Sequence, residues 1–258
     1  MSNISVDLIK ELRDQTGVAV MQCRKALEEA GGDIEKARII LSKQSSAAAE
    51  KKADRALGDG LVVVKQDGNK AVMLVLFCET DFVAKNEEFI AAANKLGEIA
   101  LAEGEDAMRA QSGEIINPLI QKIGENMQVG SVYTFDNGTI GSYVHNGRNA
   151  SVVVLEGGDE SLAKDIAMHI SAMKPHFVKK DDITEDDKVK VTEVFQKEVD
   201  ESDKPADMKA KILEGKLSAY FKEKILLEQP FIKDPNMTIG QLASSKGATV
   251  VRFEQFNF

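Results

Sequence analysis

The stretch that decides the fold is Ala71-Val72-Met73-Leu74-Val75-Leu76-Phe77-Cys78-Glu79-Thr80-Asp81-Phe82-Val83-Ala84-Lys85-Asn86-Glu87-Glu88. Its first part, Ala71 to Phe77, is an unbroken apolar run of strand length and predicts a buried strand. Its last part, Asn86 followed by Glu87 and Glu88, predicts the start of a helix. An Asn side chain satisfies free amides there, and acids complement the positive end of the helix dipole. Phe82 and Val83 fall between these elements, in a connecting segment flanked by Asp81 and Lys85. A bulky apolar residue on a connection is a candidate anchor for a partner. The alternative is a residue folded back onto the core, and the local pattern alone leaves the two balanced.

Working outward, Leu61–Lys65 and Ala71–Cys78 are two strands joined at Asp67-Gly68-Asn69, a hairpin turn sequence. The helix from Asn86 carries Phe89, Ile90, Ala93, Leu96 and Ile99 as a buried stripe. A second set of strands covers about Gln128–Phe135, Thr139–His145 and Ala150–Leu155, with turns at Asp136-Asn137-Gly138 and Asn146-Gly147. A helix follows from about Asp159 to Met173, ahead of Pro175. The two halves form an internal repeat of hairpin and helix. The second copy passes from strand to helix through Glu156-Gly157-Gly158-Asp159 alone. The first takes about five residues more, and the surplus is Thr80–Lys85. A short link suffices for folding, so the long one points to another job, and Phe82 becomes the favoured contact residue.

Three helices fill residues 5–46. Ser5 caps one with Leu8, Ile9 and Leu12 on its apolar face, ending near Thr16-Gly17. A second runs from about Val20 to Ala30, stopped by Gly31-Gly32, and Asp33 caps a third with Ile34, Ala37, Ile40 and Leu41 at helical spacing. Fewer than about fifty residues make a marginal core, so this is a small module attached to something larger. Gln44–Ala56 is a linker or a continuing helix. Residues 184–227 predict a helical hairpin: Thr184 and Asp187 make a capping box, and Val189, Val191, Val194 and Phe195 give the first helix an apolar side. Ser202-Asp203-Lys204-Pro205 breaks the pattern, and Met208, Ile212, Leu213, Leu217, Tyr220 and Phe221 mark the second helix. Beyond Gln229-Pro230-Phe231 come a turn at Asp234-Pro235-Asn236 and a short helix opened by Thr238 with Gln241. A closing strand, Ala248–Phe256, has Val251 and Phe253 on one face and returns to one of the sheets.

Composition narrows the function. A chain of 258 residues with 43% hydrophobic and 29% charged residues is in the ordinary globular range. No apolar run approaches the roughly 20 residues that span a bilayer. Asp7, Glu11 and Asp14 near the N-terminus fit neither a signal nor a transit peptide, which makes cytoplasm the expected location. A net charge of −9 argues against nucleic acid and favours a protein partner. Cys23 and Cys78 fall in apolar segments and are expected as buried free thiols. His145, His169 and His176 are too scattered for a metal site. Neither nucleotide-cradling glycine signature, nor a nucleophile elbow, nor a Cys-x-x-Cys pair is present. The pattern is that of a binding protein, with no catalytic group, metal or cofactor expected.

Several runs then carry a family likeness. They are Leu12-Arg13-Asp14-Gln15-Thr16-Gly17 with Met21-Gln22-Cys23-Arg24-Lys25-Ala26-Leu27, and Thr80-Asp81-Phe82-Val83-Ala84-Lys85-Asn86. Further ones are Lys122-Ile123-Gly124-Glu125-Asn126, Gly141-Ser142-Tyr143 with His145, and Ala167-Met168-His169-Ile170. In this order, over almost the whole length, they resemble bacterial translation elongation factor Ts, the guanine-nucleotide exchange factors of elongation factor Tu.

The resemblance implies an α+β chain in five segments. These are a three-helix, ubiquitin-associated-like N-terminal domain with linker (1–55), a core N-terminal subdomain (56–140) and the first part of a core C-terminal subdomain (141–180). A helical-hairpin, coiled-coil arm (181–227) and the closing part of the C-terminal subdomain (228–258) complete it. It further implies that Thr80, Asp81, Phe82 and Val83 meet the partner's GTPase domain. There Phe82 enters an apolar pocket, Asp81 lies beside it, Val83 supports the segment, and the partner's magnesium ion is dislocated. Ile123, Gly124 and His145 match positions near that contact, and Arg13, Val20, Met21 and Arg24 match the N-terminal surface touching the same domain. Many family members continue past the closing strand into a further helix, which this sequence does not contain. Any contact made by that helix is then expected to be lost or supplied elsewhere.

Overall fold

The computed structural model describes residues 4–201 and 205–258. The chain divides into two compact units. The first comprises Met1–Thr134, Val144–Arg148 and Asn257–Phe258, and the second Phe135–Tyr143 and Asn149–Phe256.

In the first unit, α1 (Val6–Thr16) starts where the Ser5 side chain accepts the Leu8 N–H and ends at left-handed Gly17. α2 (Val20–Glu29) follows, and Asp33 caps α3 (Ile34–Glu50) through the Lys36 N–H. Leu12, Val18, Cys23, Ala26, Leu27, Ala37 and Leu41 close a small core among the three. The tract beginning at Gln44 therefore continues the helix as far as Glu50 before turning.

β1 (Asp59–Asp67) and β2 (Lys70–Cys78) form the expected hairpin, with Asp67 opposite Lys70 across Gly68-Asn69. The segment after β2 is more ordered than a loop: Asp81–Ala84 is a single helical turn, α4. α5 (Glu87–Glu103) begins at Asn86, whose side-chain oxygen accepts the N–H groups of Glu88 and Phe89. α6 (Glu105–Ile123) has no counterpart in the sequence reading. β3 (Met127–Phe135) also corrects it, because this strand completes a β1-β2-β3 sheet instead of joining the strands that follow. The core under α5 and α6 gathers Val63, Leu74, Leu76, Phe89, Leu96, Met108 and Ile116 among others.

In the second unit, β4 (Thr139–His145), of which residues 139–143 belong to that unit, leads to β5 (Asn149–Glu156). The short link 157–159 then leads to α7 (Glu160–Met173), capped by Asp159. α8 (Glu185–Asp200) opens with the expected Thr184–Asp187 capping box. α9 (Ala206–Lys224) runs back along it: Lys209 reaches the Asp200 carbonyl, Lys216 pairs with Glu198, and Tyr220 meets Phe195 edge-on. Of the break expected at 202–205, residues 202–204 lie outside the described residues. β6 (Pro230–Phe231) and β7 (Asp234–Thr238) form a small hairpin, so the expected turn at Asp234-Pro235-Asn236 is strand, and the reversal falls at Ile232-Lys233. α10 (Ile239–Ser245) has the Thr238–Gln241 capping box, and β8 (Thr249–Asn257) completes a β4-β5-β8 sheet. Val250 contributes to this unit's core, whereas Val251 is exposed. The mixture of helices and antiparallel hairpins is α+β. No helix of the described residues is long and apolar enough to cross a membrane.

Candidate functional site

The site is built on the passage from β2 to α5. Thr80 is extended, with φ −132° and ψ 156°, and its hydroxyl caps α4 by accepting the Val83 N–H. One helical turn then sorts its side chains by direction. Val83 and Ala84 point into the core, each only 6% exposed, and Phe82 points out at 81%. Asp81 and Lys85, four residues apart on the exposed side, pair at 2.7 Å. Lys85 holds the Asp81 carboxyl below its ordinary range, with Arg148 adding to the effect. A phenyl ring this exposed leaves unrealised most of the roughly 1.5–3 kcal/mol that burying it provides. The turn presents that surface to solvent while burying the next two residues, Val83 and Ala84.

The turn is held from beneath. Glu125 accepts the Thr80 N–H at 3.1 Å with one carboxylate oxygen and the Thr80 hydroxyl at 2.8 Å with the other. The Cys78 thiol donates to the Thr80 carbonyl at 3.2 Å. Burial, with the nearby Asp59 and Glu125 carboxylates, pushes that thiol up to about 12, so it stays protonated and remains a donor. Glu79 accepts the Asn126 N–H at 2.6 Å and pairs with Arg55, which also donates to the Gly124 carbonyl. Asn126 in turn donates to the Ala53 and Arg55 carbonyls.

The corner that supplies these groups is the end of α6. Gly124 terminates the helix in the left-handed region at φ +91°, where a side chain would be strained. This brings Gly124 and half-buried Ile123 beside the Glu79–Thr80 segment. His145 is exposed at the β4–β5 turn, whose Asn146 and Gly147 both have positive φ. Within the same turn Arg148 pairs with Asp59. Arg13, Val20, Met21 and Arg24 are all exposed around α1 and α2, with Arg24 paired to Glu28 at 2.9 Å. They lie on the surface of the three-helix module, which has a small core of its own. Glu125, Arg55 and Asn126 are the additions from the structure. Glu125 and Asn126 belong to the Lys122–Asn126 motif, but pattern alone does not reveal a contact with a residue 45 positions away.

Comparisons with known proteins show the family. A family model described as elongation factor TS matches residues 79–258, beginning at the Glu79 that precedes the turn. Curated relatives named elongation factor Ts match nearly end to end. One from Aeromonas hydrophila is 42% identical across 99% of this chain and 91% of its own length. One from Hahella chejuensis is 41% identical across 99% and 92%. A third, from Francisella tularensis subsp. novicida, is 41% identical across 98% and 91%. With a family match over most of its length and relatives of this similarity, the chain belongs to the elongation factor Ts family.

Proposed function

We propose that this protein is a guanine-nucleotide exchange factor that binds elongation factor Tu carrying GDP and promotes GDP release. Phe82, assisted by Thr80, Asp81 and Val83, enters an apolar pocket of the partner's GTPase domain and dislocates its magnesium ion. Ile123, Gly124 and His145 support the contact from the core, and Arg13, Val20, Met21 and Arg24 make a second contact from a ubiquitin-associated-like module. The α8–α9 pair is a coiled-coil arm, and the protein works in the cytoplasm.

The observation that carries the reading is the 81% exposure of Phe82 on a turn whose next two residues, Val83 and Ala84, are buried and whose first residue, Thr80, is hydrogen-bonded to Glu125. No catalytic group is needed. An exchange factor works through a coupling free energy between two ligands of one partner: by whatever factor it weakens GDP, GDP weakens it. Burying a phenyl ring is worth roughly 1.5–3 kcal/mol, or about 10- to 150-fold. Larger accelerations require the charge contacts of the magnesium ion to be lost as well.

The test is stopped-flow release of fluorescent GDP from elongation factor Tu. Phe82→Ala is expected to lower the release rate by about 10- to 150-fold, the range set by the ring's burial. Equal rates for the two proteins would remove Phe82 from its assigned role.

A further inference from the structure

We propose that Glu125 is a positioning residue for exchange: its carboxylate fixes the Phe82 turn in its binding geometry before the partner arrives. This inference rests on the reading of Phe82 given above and concerns how that residue is held.

Thr80 is the only capping side chain of a helix one turn long, and such a helix has no cooperative stability of its own. Its geometry must come from outside the turn. Glu125 supplies it by taking both Thr80 donors at once, the N–H and the hydroxyl, on separate oxygens. With the hydroxyl hydrogen committed to Glu125, the oxygen lone pairs are free to accept the Val83 N–H that closes the turn. The carboxylate thus sets the direction of the capping hydroxyl. Cys78 secures the third polar group of Thr80, its carbonyl. Glu125 is itself half-buried at the end of α6, so the geometry is tied to a long helix. A turn without this clamp would sample other conformations, and only the competent fraction would drive release.

The chemistry predicts a graded series. Glutamine at 125 keeps one acceptor but offers an N–H where the second belongs, so the Thr80 hydroxyl hydrogen loses its partner. Alanine removes both acceptors. Release of fluorescent GDP is measured against exchange-factor concentration for wild type, Glu125→Gln, Glu125→Ala and Phe82→Ala. The maximal rate is expected to fall about threefold for Glu125→Gln and about tenfold for Glu125→Ala, the scale of hydrogen bonds to a charged group. The half-saturating concentration should move less than about twofold, because the remaining surface still binds.

The sequence contains no Trp, so Phe82→Trp gives a single-tryptophan reporter of the turn. Its anisotropy decay in the free protein should gain a fast local component when Glu125→Ala is added. Wild-type maximal rates in Glu125→Gln and Glu125→Ala, with Phe82→Ala slow, would overturn this inference alone. So would slowed release with an unchanged anisotropy decay, since the carboxylate would then act by contact. A wild-type rate in Phe82→Ala would instead remove the reading on which it rests. If Glu125→Ala does not fold, Glu125→Gln decides by the same two measurements.

Discussion

The two three-stranded sheets among the described residues are laid out alike but feed their helices differently. In each, a hairpin supplies two strands, a later strand pairs beside the second, and that central strand runs on into a helix. Between β5 and α7 the chain spends three residues, 157–159, two of them glycines with φ +76° and +71°. Between β2 and α5 it spends eight, 79–86, including a capped helical turn. The short passage shows how little the fold requires. The long one adds an exposed phenyl ring and a hydrogen-bonded brace, which folding alone does not demand.

The strongest way to break this comparison is to give the first half the second half's link. Replacing residues 80–86 with Gly-Gly-Asp keeps Glu79 and a helix cap. We expect a chain that unfolds cooperatively in urea, less stable by about 2–4 kcal/mol for the lost burial at Val83 and Ala84. We expect GDP release at the spontaneous rate of elongation factor Tu alone. Retained exchange would show that the surplus residues are not the active part. An unfolded chain would show that the two links are not equivalent.

A reciprocal change sharpens the point at smaller cost. A Cβ at Gly157 would stand 2.4 Å from the Gly247 carbonyl oxygen, on a backbone with positive φ. Gly157→Ala should therefore lose roughly 2–4 kcal/mol in urea denaturation, combining left-handed strain with a backbone clash. Its exchange rate, measured while folded, should match wild type. A stability loss below about 0.5 kcal/mol, the level of an ordinary surface substitution, would mean the tight link has room to relax.

What could be read from the sequence follows the locality of the signals. Ser5, Asp33, Asn86, Thr184 and Thr238 announce their helices because a capping side chain acts within three residues. Hairpin turns at Gly68 and Asn146 are equally local. α6 escapes because Gly113 and Pro118 interrupt it and its buried residues, Met108, Ile116 and Ile120, are sparse. β3 was assignable as a strand but not to its sheet, since pairing is a long-range property that the alternation of side chains does not encode. The same division holds at the site. Phe82 stands out in sequence as an apolar residue in a surplus segment. Glu125 does not, because its significance exists only once α6 brings it under Thr80.

The smallest predicted effect separates the helices that follow the two links. Among the described residues, α5 buries Phe89, Ala92, Ala93, Leu96, Gly97, Ile99 and Ala100, none of which titrates. α7 buries His169, fully inaccessible, with Nε2 2.9 Å from the Gln229 side-chain oxygen and Nδ1 accepting the Ile232 N–H. Both ring nitrogens are satisfied only when the imidazole is neutral, since a proton on Nδ1 would face another donor. Burial accordingly lowers the His169 pKa from the ordinary 6.5, against an opposing contribution from Gln229. The sign follows from linkage. Above 6.5 neither state takes the proton, so stability is full; below it the unfolded chain binds a proton that the native state refuses. Stability then falls by at most about 1.4 kcal/mol per pH unit until the native pKa is reached. His176, lowered by burial and by Lys224, acts in the same direction. Urea unfolding at pH 7.5, 6.5 and 5.5 should therefore show a loss that His169→Gln reduces by about 1 kcal/mol, His176 supplying the remainder in both chains. Identical pH dependence in the two would mean that His169 takes up its proton without disturbing the fold, and that the polar core of the second half is more tolerant than its geometry indicates.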